Sequence, residues 1–256
     1  MMKKIMFLTL VIGLAGVSQS TLVKVDDFET YNVGLIRDQS TPWTAIGNTM
    51  FLSVKEADGN KYLAYGWNSG GPRGGYRPID PVSSLSTATL FFRVYAGLGT
   101  LDHAFGLTDL ATPAQDYGNF RLQMGALSVS GQSTKFRLIG RSSSGAQDLV
   151  VLDRQVWYNV WAVINHQANT YDVYYTTGLA GATEADKVGT GITYRVGTTN
   201  DLIRFLVLAN YAGEGDSFRL DDIYLTNGID LSNPLVPEPA SMMLLGLGGL
   251  VICRKR

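Results

Sequence analysis

The sequence predicts an all-β fold, organised as a single jelly-roll-type β-sandwich. Its central region is rich in Gly, Thr, Val, Tyr and Phe, which favour strands and turns. Apolar residues occur in short runs separated by turn residues, and no run has the spacing of a long amphipathic helix. The segments predicted as strands are 87–96, 120–124, 135–141, 157–165, 171–177, 202–209 and 218–226.

Residues 1–20 have the pattern of a secretory signal peptide. Lys3 and Lys4 precede an apolar run, and Ser18 and Ser20 place small side chains at alternate positions after it. We expect signal peptidase to cleave after Ser20, and an uncleaved N-terminal anchor is the alternative. Either outcome takes the chain out of the cytoplasm.

The body of the chain, residues 21–235, is expected to be one sandwich domain. Its clearest strand is 157–165, where both faces are apolar, as is typical of a middle strand in two stacked sheets. A turn at 166–169 leads from this strand into 171–177. We therefore predict a β-hairpin at the centre of the fold.

Charge and cysteine content exclude several classes of function. The two ends hold five of the 21 basic residues and one of the 22 acidic residues, so the body carries 16 against 21, a formal charge of −5. A net acidic body argues against nucleic acid as a partner. The only cysteine is Cys253, so the body has no disulfide and no thiolate site.

The C-terminal segment 236–256 has three parts in order: a Pro-Glu-Pro motif, an apolar run and a basic end. The motif is Pro237, Glu238 and Pro239, and the end is Arg254, Lys255 and Arg256. The apolar run over 242–253 predicts a helix of about 18 Å. A bilayer core is about 30 Å thick, so this short transmembrane helix would give only transient membrane association.

This tail resembles the PEP-CTERM sorting signal of Gram-negative bacteria. The resemblance implies that an exosortase-type enzyme processes the tail while delivering the protein to the cell surface or extracellular matrix. A generic C-terminal membrane anchor and a buried terminal helix are the alternatives.

The body also resembles a known family. The segments VDDFETYNVG at 25–34, WYNVWAVINHQANTYDVYY at 157–175 and FRLDDIYLTNG at 218–228 are similar to concanavalin A-like or laminin-G-like sandwiches of exported bacterial proteins. This resemblance implies the fold and a general tendency toward carbohydrate binding. A fold alone does not determine function.

Two pairs of aspartates form a candidate metal site. Asp26 and Asp27 begin the first strand, and Asp221 and Asp222 lie on the last, which commonly lies beside the first in a sandwich. Their oxygens suit Ca²⁺, so a structural calcium ion is the only cofactor predicted. In the alternative interpretation, Asp27 and Asp222 cap turns or pair with Arg219.

A second candidate site is the glycine-rich segment 65–78, which we predict to be a mobile loop. It carries the aromatic residues Trp67 and Tyr76 and the basic residues Arg73 and Arg77. Aromatic faces and arginine donors are typical of a sugar-binding surface, and an exopolysaccharide is the expected ligand. The alternative is a surface loop whose aromatic residues pack onto the sandwich.

No catalytic residues are predicted. Glycoside hydrolases use paired carboxylates, and none of the four glutamates of the body, Glu29, Glu56, Glu184 and Glu214, has a suitable neighbour. The closest pattern joins Glu184 to Asp186 but lacks a second glutamate. His103 and His166 are the only histidines, and no nucleophile motif accompanies them.

Three hypotheses follow, namely a glycan-binding surface protein, a purely structural surface protein and a polysaccharide-cleaving enzyme. The first and second differ in whether Trp43, Trp67 and Tyr76 are exposed to solvent on one concave face. The third requires two carboxylates about 5 Å apart or about 6.5–9.5 Å apart across a groove. We predict that the protein is not an enzyme.

Overall fold

The computed structural model of the protein describes residues 21–47, 52–66, 72–210 and 217–236. These residues form short turns and sixteen strands, numbered here in chain order: β1 (Val23–Asp26), β2 (Gly34–Leu35), β3 (Thr44–Ile46), β4 (Leu52–Ala57), β5 (Asn60–Tyr65), β6 (Arg73–Val82), β7 (Thr87–Ala96), β8 (Asp102–Thr108), β9 (Leu122–Val129), β10 (Gln132–Ser142), β11 (Gly145–Asp153), β12 (Trp157–Asn165), β13 (Thr170–Thr176), β14 (Lys187–Thr193), β15 (Leu202–Ala209) and β16 (Phe218–Asn227). Three single turns of 3-10 helix are Ile36–Asp38, Tyr117–Asn119 and Glu184–Asp186.

The strands form two antiparallel sheets, which confirms the predicted β-sandwich. Sheet A has the order β14-β13-β12-β7-β16-β5-β4-β2, with β1 also paired to β16. Sheet B has the order β11-β10-β9-β8-β15-β6-β3. The pairing of β1 with β16 confirms that the first and last strands lie side by side.

The hydrophobic core lies between the two sheets. At its centre, Phe92 of β7 contacts Phe105 of β8 with ring centroids 5.2 Å apart. Phe105 also stacks on Phe218 of β16 at 5.5 Å and an interplanar angle of 8°. These rings are fully buried, and aromatic residues supply large apolar areas per side chain. No disulfide is needed to hold a core of this size.

Several strand predictions are confirmed. The segments 87–96, 157–165 and 202–209 coincide with β7, β12 and β15. Strand β12 buries Val160 between the sheets and Trp161 on the outer side, so both faces are apolar as predicted. The predicted hairpin is β12–β13, but the middle of sheet A is formed by β7 and β16.

The prediction of a loop over 65–78 is wrong in part. The loop ends early, because β6 begins at Arg73 and runs through Gly74 and Gly75. One of the two histidines, His103, lies within β8. Its Nε2 lies 2.8 Å from the carbonyl oxygen of Tyr65, and burial lowers its pKa to about 4. A neutral histidine in this position is part of the core.

The outer faces of the two sheets are partly covered by connecting segments. On sheet A, Leu231 and Leu235 pack beside Trp161, whose Nε1 donates to the carbonyl oxygen of Ser232 at 3.0 Å. On sheet B, Phe120 packs with Leu206 of β15 and its neighbours. In the part of the chain that the structure describes, no helix is long and apolar enough to cross a membrane. The apolar run predicted at 242–253, and with it the predicted transmembrane helix, lies outside the described residues.

Candidate functional site

The residues predicted to bind a glycan do not share one surface. Tyr76 lies on the outer face of sheet B, half-buried beside Ile46 and Leu206. Arg77 extends to the opposite side of β6 and forms an ion pair with Asp26. Arg73, at the start of β6, donates from Nη1 to the carbonyl oxygen of Pro72 at 3.3 Å. Trp67 lies outside the described residues.

Trp43, which was expected to be exposed on a glycan-binding face, is buried. It is 5% exposed, and its ring contacts Phe28 and Phe205 at 5.9 and 6.2 Å. Its Nε1 donates to Asp26 Oδ2 at 2.8 Å. A tryptophan packed in this way stabilises the sandwich and offers no ring face to a sugar.

The carboxylate of Asp26, at the end of β1, accepts four hydrogen bonds. Its Oδ1 accepts from the backbone N–H of Phe28 at 3.0 Å, and its Oδ2 accepts from the hydroxyl of Tyr31 at 2.9 Å. Oδ2 also accepts from Trp43 and Arg77. The predicted metal ligand Asp26 and the predicted glycan-binding residue Arg77 therefore bind each other.

The other three predicted metal ligands also have protein partners. Asp27 pairs with Lys24 at 2.6 Å. Asp27 also accepts from the backbone N–H of Glu29 at 3.4 Å, as the turn-capping alternative expected. Asp222 pairs with Arg93 at 3.0 Å, whereas the alternative interpretation named Arg219. Asp221 accepts from Asn60 Nδ2 at 2.8 Å. Among the described residues, no three His, Cys, Asp or Glu side chains form a group that could hold a metal ion. The calcium ion stays a prediction.

Burial dominates the electrostatics of the two adjacent carboxyls on β16. Burial, together with the charge of Asp222, raises the pKa of Asp221 to about 8. Burial also raises the pKa of Asp222, against the opposing effect of Arg93. Asp221 is 1% exposed, so its carboxyl group is a structural feature of sheet A and does not line an open groove.

A different group of polar side chains lies on the outer face of sheet B. Gln123 of β9 is directly opposite Arg141 of β10, and residues that are directly opposite in an antiparallel pair point to the same side. The side chains of Leu122 and Met124 belong to the inner core. Because side chains alternate along a strand, Gln123 and Arg141 both point outward.

Tyr117 and Arg195 approach this face from two connecting segments. Tyr117 lies in the turn 117–119, where Asp116 accepts from the backbone N–H of Gly118 at 2.7 Å. The guanidinium of Arg195 lies 5.7 Å from the centroid of the Tyr117 ring. Its Nη1 donates to Gln123 Oε1 at 2.7 Å. The turn and the segment after β14 thus fix an aromatic ring and a cation above the sheet.

Asp102 completes the group, which we call the sheet B cluster: Asp102, Tyr117, Gln123, Arg141 and Arg195. The Tyr117 hydroxyl donates to the carbonyl oxygen of Asp102 at 3.4 Å. Burial raises the pKa of the Asp102 carboxyl, although Arg141 and a hydrogen bond with Asn210 oppose this. Burial also raises the pKa of Tyr117 and lowers that of Arg195, and the charge of Arg141 lowers the latter further.

The cluster combines chemical groups that bind sugars. Tyr117 provides a ring with a hydroxyl, Gln123 an amide, Asp102 an acceptor, and the two arginines several donors. Sequence reasoning missed the cluster because its residues come from five separate segments between 102 and 195 and form no motif. The only local signal was a polar residue at outward positions of predicted strands, as with Gln123 and Arg141.

Comparison with protein families identifies the C-terminal segment. Residues 235–256 match the model of the PEP-CTERM protein-sorting motif. The protein carries a PEP-CTERM sorting motif. This confirms the prediction made for the tail, and the motif implies export and exosortase-type processing of the chain. The residues Pro237, Glu238, Pro239, Arg254, Lys255 and Arg256 fall within the match and outside the residues that the structure describes.

Solved structures share the fold of the body. A sialidase is 13% identical with a TM-score of 0.53; the match covers 80% of this chain and 18% of the sialidase, so the chain spans less than a fifth of that protein's length. The catalytic domain of a glycoside hydrolase family 131 protein from Coprinopsis cinerea is 11% identical with a TM-score of 0.52, covering 83% of this chain and 97% of that one.

A protein of unknown function from Shewanella oneidensis MR-1 is 9% identical with a TM-score of 0.51, covering 86% of this chain and 90% of that one. At these identities the likeness concerns the fold alone, a sandwich of two antiparallel sheets. Comparison with curated protein sequences gives no significant match.

Proposed function

We propose that this protein is exported by a Gram-negative bacterium, sorted through its tail to the cell surface or matrix, and binds an exopolysaccharide there. The observation that carries the binding proposal is the sheet B cluster. Tyr117 stands on an outer sheet face together with two guanidinium groups, and this combination is typical of sugar recognition. Gln123 is only 4% exposed and holds Arg195 in place. Signal peptidase and an exosortase-type enzyme are the proposed processing partners.

The site proposed here replaces the predicted loop site only in part. Tyr76 remains at one end of the same outer face, since it is directly opposite Leu206 on β15, and Leu206 is directly opposite Gly106. Gly106 is in turn directly opposite Gln123. The ligand would therefore lie along one row of side chains across sheet B, from Tyr76 toward Arg141.

A purely structural surface protein is the second candidate, and the burial of Trp43, whose exposure was to distinguish the two hypotheses, favours it. Tyr117 and Arg195 already contact each other and Gln123, which favours a packing role for these two residues. Catalysis is not part of the proposal. The adjacent carboxyls of Asp221 and Asp222 are unsuitable for glycoside cleavage because Asp221 is almost fully buried.

A glycan screen on the exported protein tests the proposal. Tyr117→Ala should lower the affinity for the glycan at least tenfold relative to the wild type, because ring stacking and a hydrogen bond are lost together. The matched control is Tyr95→Ala, which truncates a half-buried tyrosine on the outer face of sheet A. Melting temperatures of both variants establish that they are folded.

Either of two results would contradict the proposal. If no glycan binds the folded wild-type protein, the structural candidate is favoured. If Tyr95→Ala loses binding while Tyr117→Ala retains it, the glycan site lies on sheet A.

Cell fractionation tests the sorting part separately. Replacing Pro237, Glu238 and Pro239 together by alanine should leave a longer, unprocessed chain associated with the membrane. Replacing Pro234, which lies before the matched segment, is the control. A processed, correctly delivered triple variant would disprove tail-dependent sorting.

A further inference from the structure

Arg141 differs from most arginines of the protein in having no partner. Among the described residues, its guanidinium group makes no hydrogen bond or ion pair. Other arginines of the sandwich bind carboxylates: Arg77 binds Asp26, Arg93 binds Asp222, Arg121 binds Asp109 and Arg137 binds Asp148. Arg141 is half-buried, so its charge is partly removed from water. The carboxyl of Asp102 feels this charge, but among the described residues no carboxylate forms an ion pair with Arg141.

The reason for this is the register of sheet B. The residues directly opposite Arg141 are Gln123 on β9 and Ala146 on β11, and neither carries a charge. The cation cannot be neutralised by its cross-strand neighbours, which are the side chains closest to it on the face.

A second cation lies close to Arg141. Arg195 donates to the side chain of Gln123 at 2.7 Å, and Gln123 is the cross-strand neighbour of Arg141. The two guanidinium groups thus flank one glutamine. Like charges held at such spacing repel each other, and the repulsion is relieved when an anion binds between them.

We propose that Arg141 and Arg195 bind the carboxylate of an acidic sugar, so that the ligand of the sheet B cluster is a uronate-containing polysaccharide. This inference rests on the proposed function. Guanidinium groups bind carboxylates through paired N–H donors in one plane. The neighbouring carboxyl of Asp102, which is half-buried, can hydrogen-bond a ring hydroxyl of the same sugar.

The charge of the whole body makes a local site necessary. With a formal charge of −5, the surface as a whole repels a polyanion. Attraction must come from these two arginines, so affinity should fall moderately as salt is added.

Titration calorimetry of the exported protein tests the inference with a polyuronate oligosaccharide and with the same oligosaccharide after its carboxyl groups are reduced to alcohols. Carboxyl reduction should lower the affinity about tenfold or more, as expected for loss of a hydrogen-bonded charge pair. Arg141→Gln should lower the affinity for the acidic form to a similar extent and that for the reduced form distinctly less, because only the acidic form offers a charge to the guanidinium group.

The matched control is Arg137→Gln. Arg137 lies on β10 four residues before Arg141, is half-buried like it, and binds both oxygens of Asp148 at 2.9 and 3.0 Å. Its replacement removes the same charge from the same strand and should leave both affinities within about twofold, since its charge is already paired.

The outcomes separate this inference from the proposed function. If neither oligosaccharide nor any other glycan binds, the proposed function fails. If neutral and acidic forms bind equally and Arg141→Gln weakens both alike, only the present inference fails. Binding of a sulfated neutral oligosaccharide in preference to the uronate would overturn the carboxylate assignment.

Discussion

The outer faces of both sheets carry arginines beside aromatic rings, but the partners of these arginines differ between the two faces. On sheet A, Arg219 lies 4.4 Å from the ring centroids of both Tyr62 and Tyr95. Arg93 lies 4.8 Å from the centroid of Trp157 and also pairs with Asp222. These arginines are therefore paired with aromatic rings of the same face through cation–π contacts. On sheet B, Tyr117 and Arg195 are in contact, and Arg141 stands beside them with no ion-pair partner among the described residues.

The difference arises from which residues are neighbours across the strands. Arg93 is directly opposite Asp221, the residue before its ion-pair partner, and Arg219 is directly opposite Tyr95. Arg141 is directly opposite an amide and an alanine. The cross-strand neighbours of an arginine on a β-sandwich therefore decide whether its charge is paired within the protein or is available to a ligand. Its own sequence context does not.

The largest loss of stability is expected on the outer face of sheet A, where the segment after β16 covers Trp161. Trp161→Ala should destabilise the protein by about 3–5 kcal/mol, because Trp161 is fully buried and its Nε1 holds the carbonyl of Ser232. Thermal unfolding measures this, with Trp161→Phe as the milder control. A loss below about 1 kcal/mol would show that the segment after β16 does not cover sheet A tightly.

A smaller effect is expected at Arg219. Arg219→Ala should cost about 1–2 kcal/mol, because the guanidinium lies over two aromatic rings. Arg141→Ala should change stability by less than about 0.5 kcal/mol, since Arg141 has no partner among the described residues. Urea denaturation of both variants measures the difference. Equal losses would contradict the contrast between the two faces.

The stability of sheet A should fall as pH rises. The folded-state pKa of Asp221, about 8, lies above its unfolded value of about 3.9, so the folded protein binds the proton more tightly. The stabilisation that protonated Asp221 contributes is fully present below the pKa of the unfolded state and is lost as pH rises through the pKa of the folded state.

Melting temperatures from pH 6 to 9 test this. The wild type should lose stability over that range, and Asp221→Asn, which keeps a neutral side chain of the same shape, should lose less. Parallel curves for the two proteins would show that Asp221 does not titrate in this range.

The smallest effect is expected from calcium. Ions binding at Asp27 and Asp222 must displace Lys24 and Arg93, which already neutralise these carboxylates. Millimolar calcium should therefore raise the melting temperature by about 1–2 °C at most, and Asp222→Asn should remove the rise. A rise above about 5 °C would instead establish a tight structural ion and make the four carboxylates its ligands.

The fold class could be predicted because it depends on local patterns. Strand β12 was recognisable from its two apolar faces. Strand β6 was not, because Gly74 and Gly75 look like loop residues. A Cβ on Gly74 would lie 1.9 Å from the carbonyl oxygen of Val207, and one on Gly75 would lie 2.4 Å from Leu52 Cδ2. Glycine is required there by the close approach of neighbouring strands and side chains, which the sequence does not display.

The candidate site was predictable only in part for the same reason. Tyr76 was singled out and does lie on the outer face of sheet B, but Arg77, one residue later, faces the other side of the strand. A period of two separates adjacent side chains in a strand. A loop over 65–78 would let its side chains share one surface, whereas a strand places Tyr76 and Arg77 on opposite sides.

The sequence by itself determined that the chain is exported, that its tail is a sorting motif and that its body is a β-sandwich, because charge order and hydrophobic periodicity are local properties. Only the tertiary structure decided that Asp26 binds Arg77, that Asp222 binds Arg93 and that Arg141 is left beside Gln123 and Ala146. Those partners are set by strand order and register, which join residues far apart in the chain.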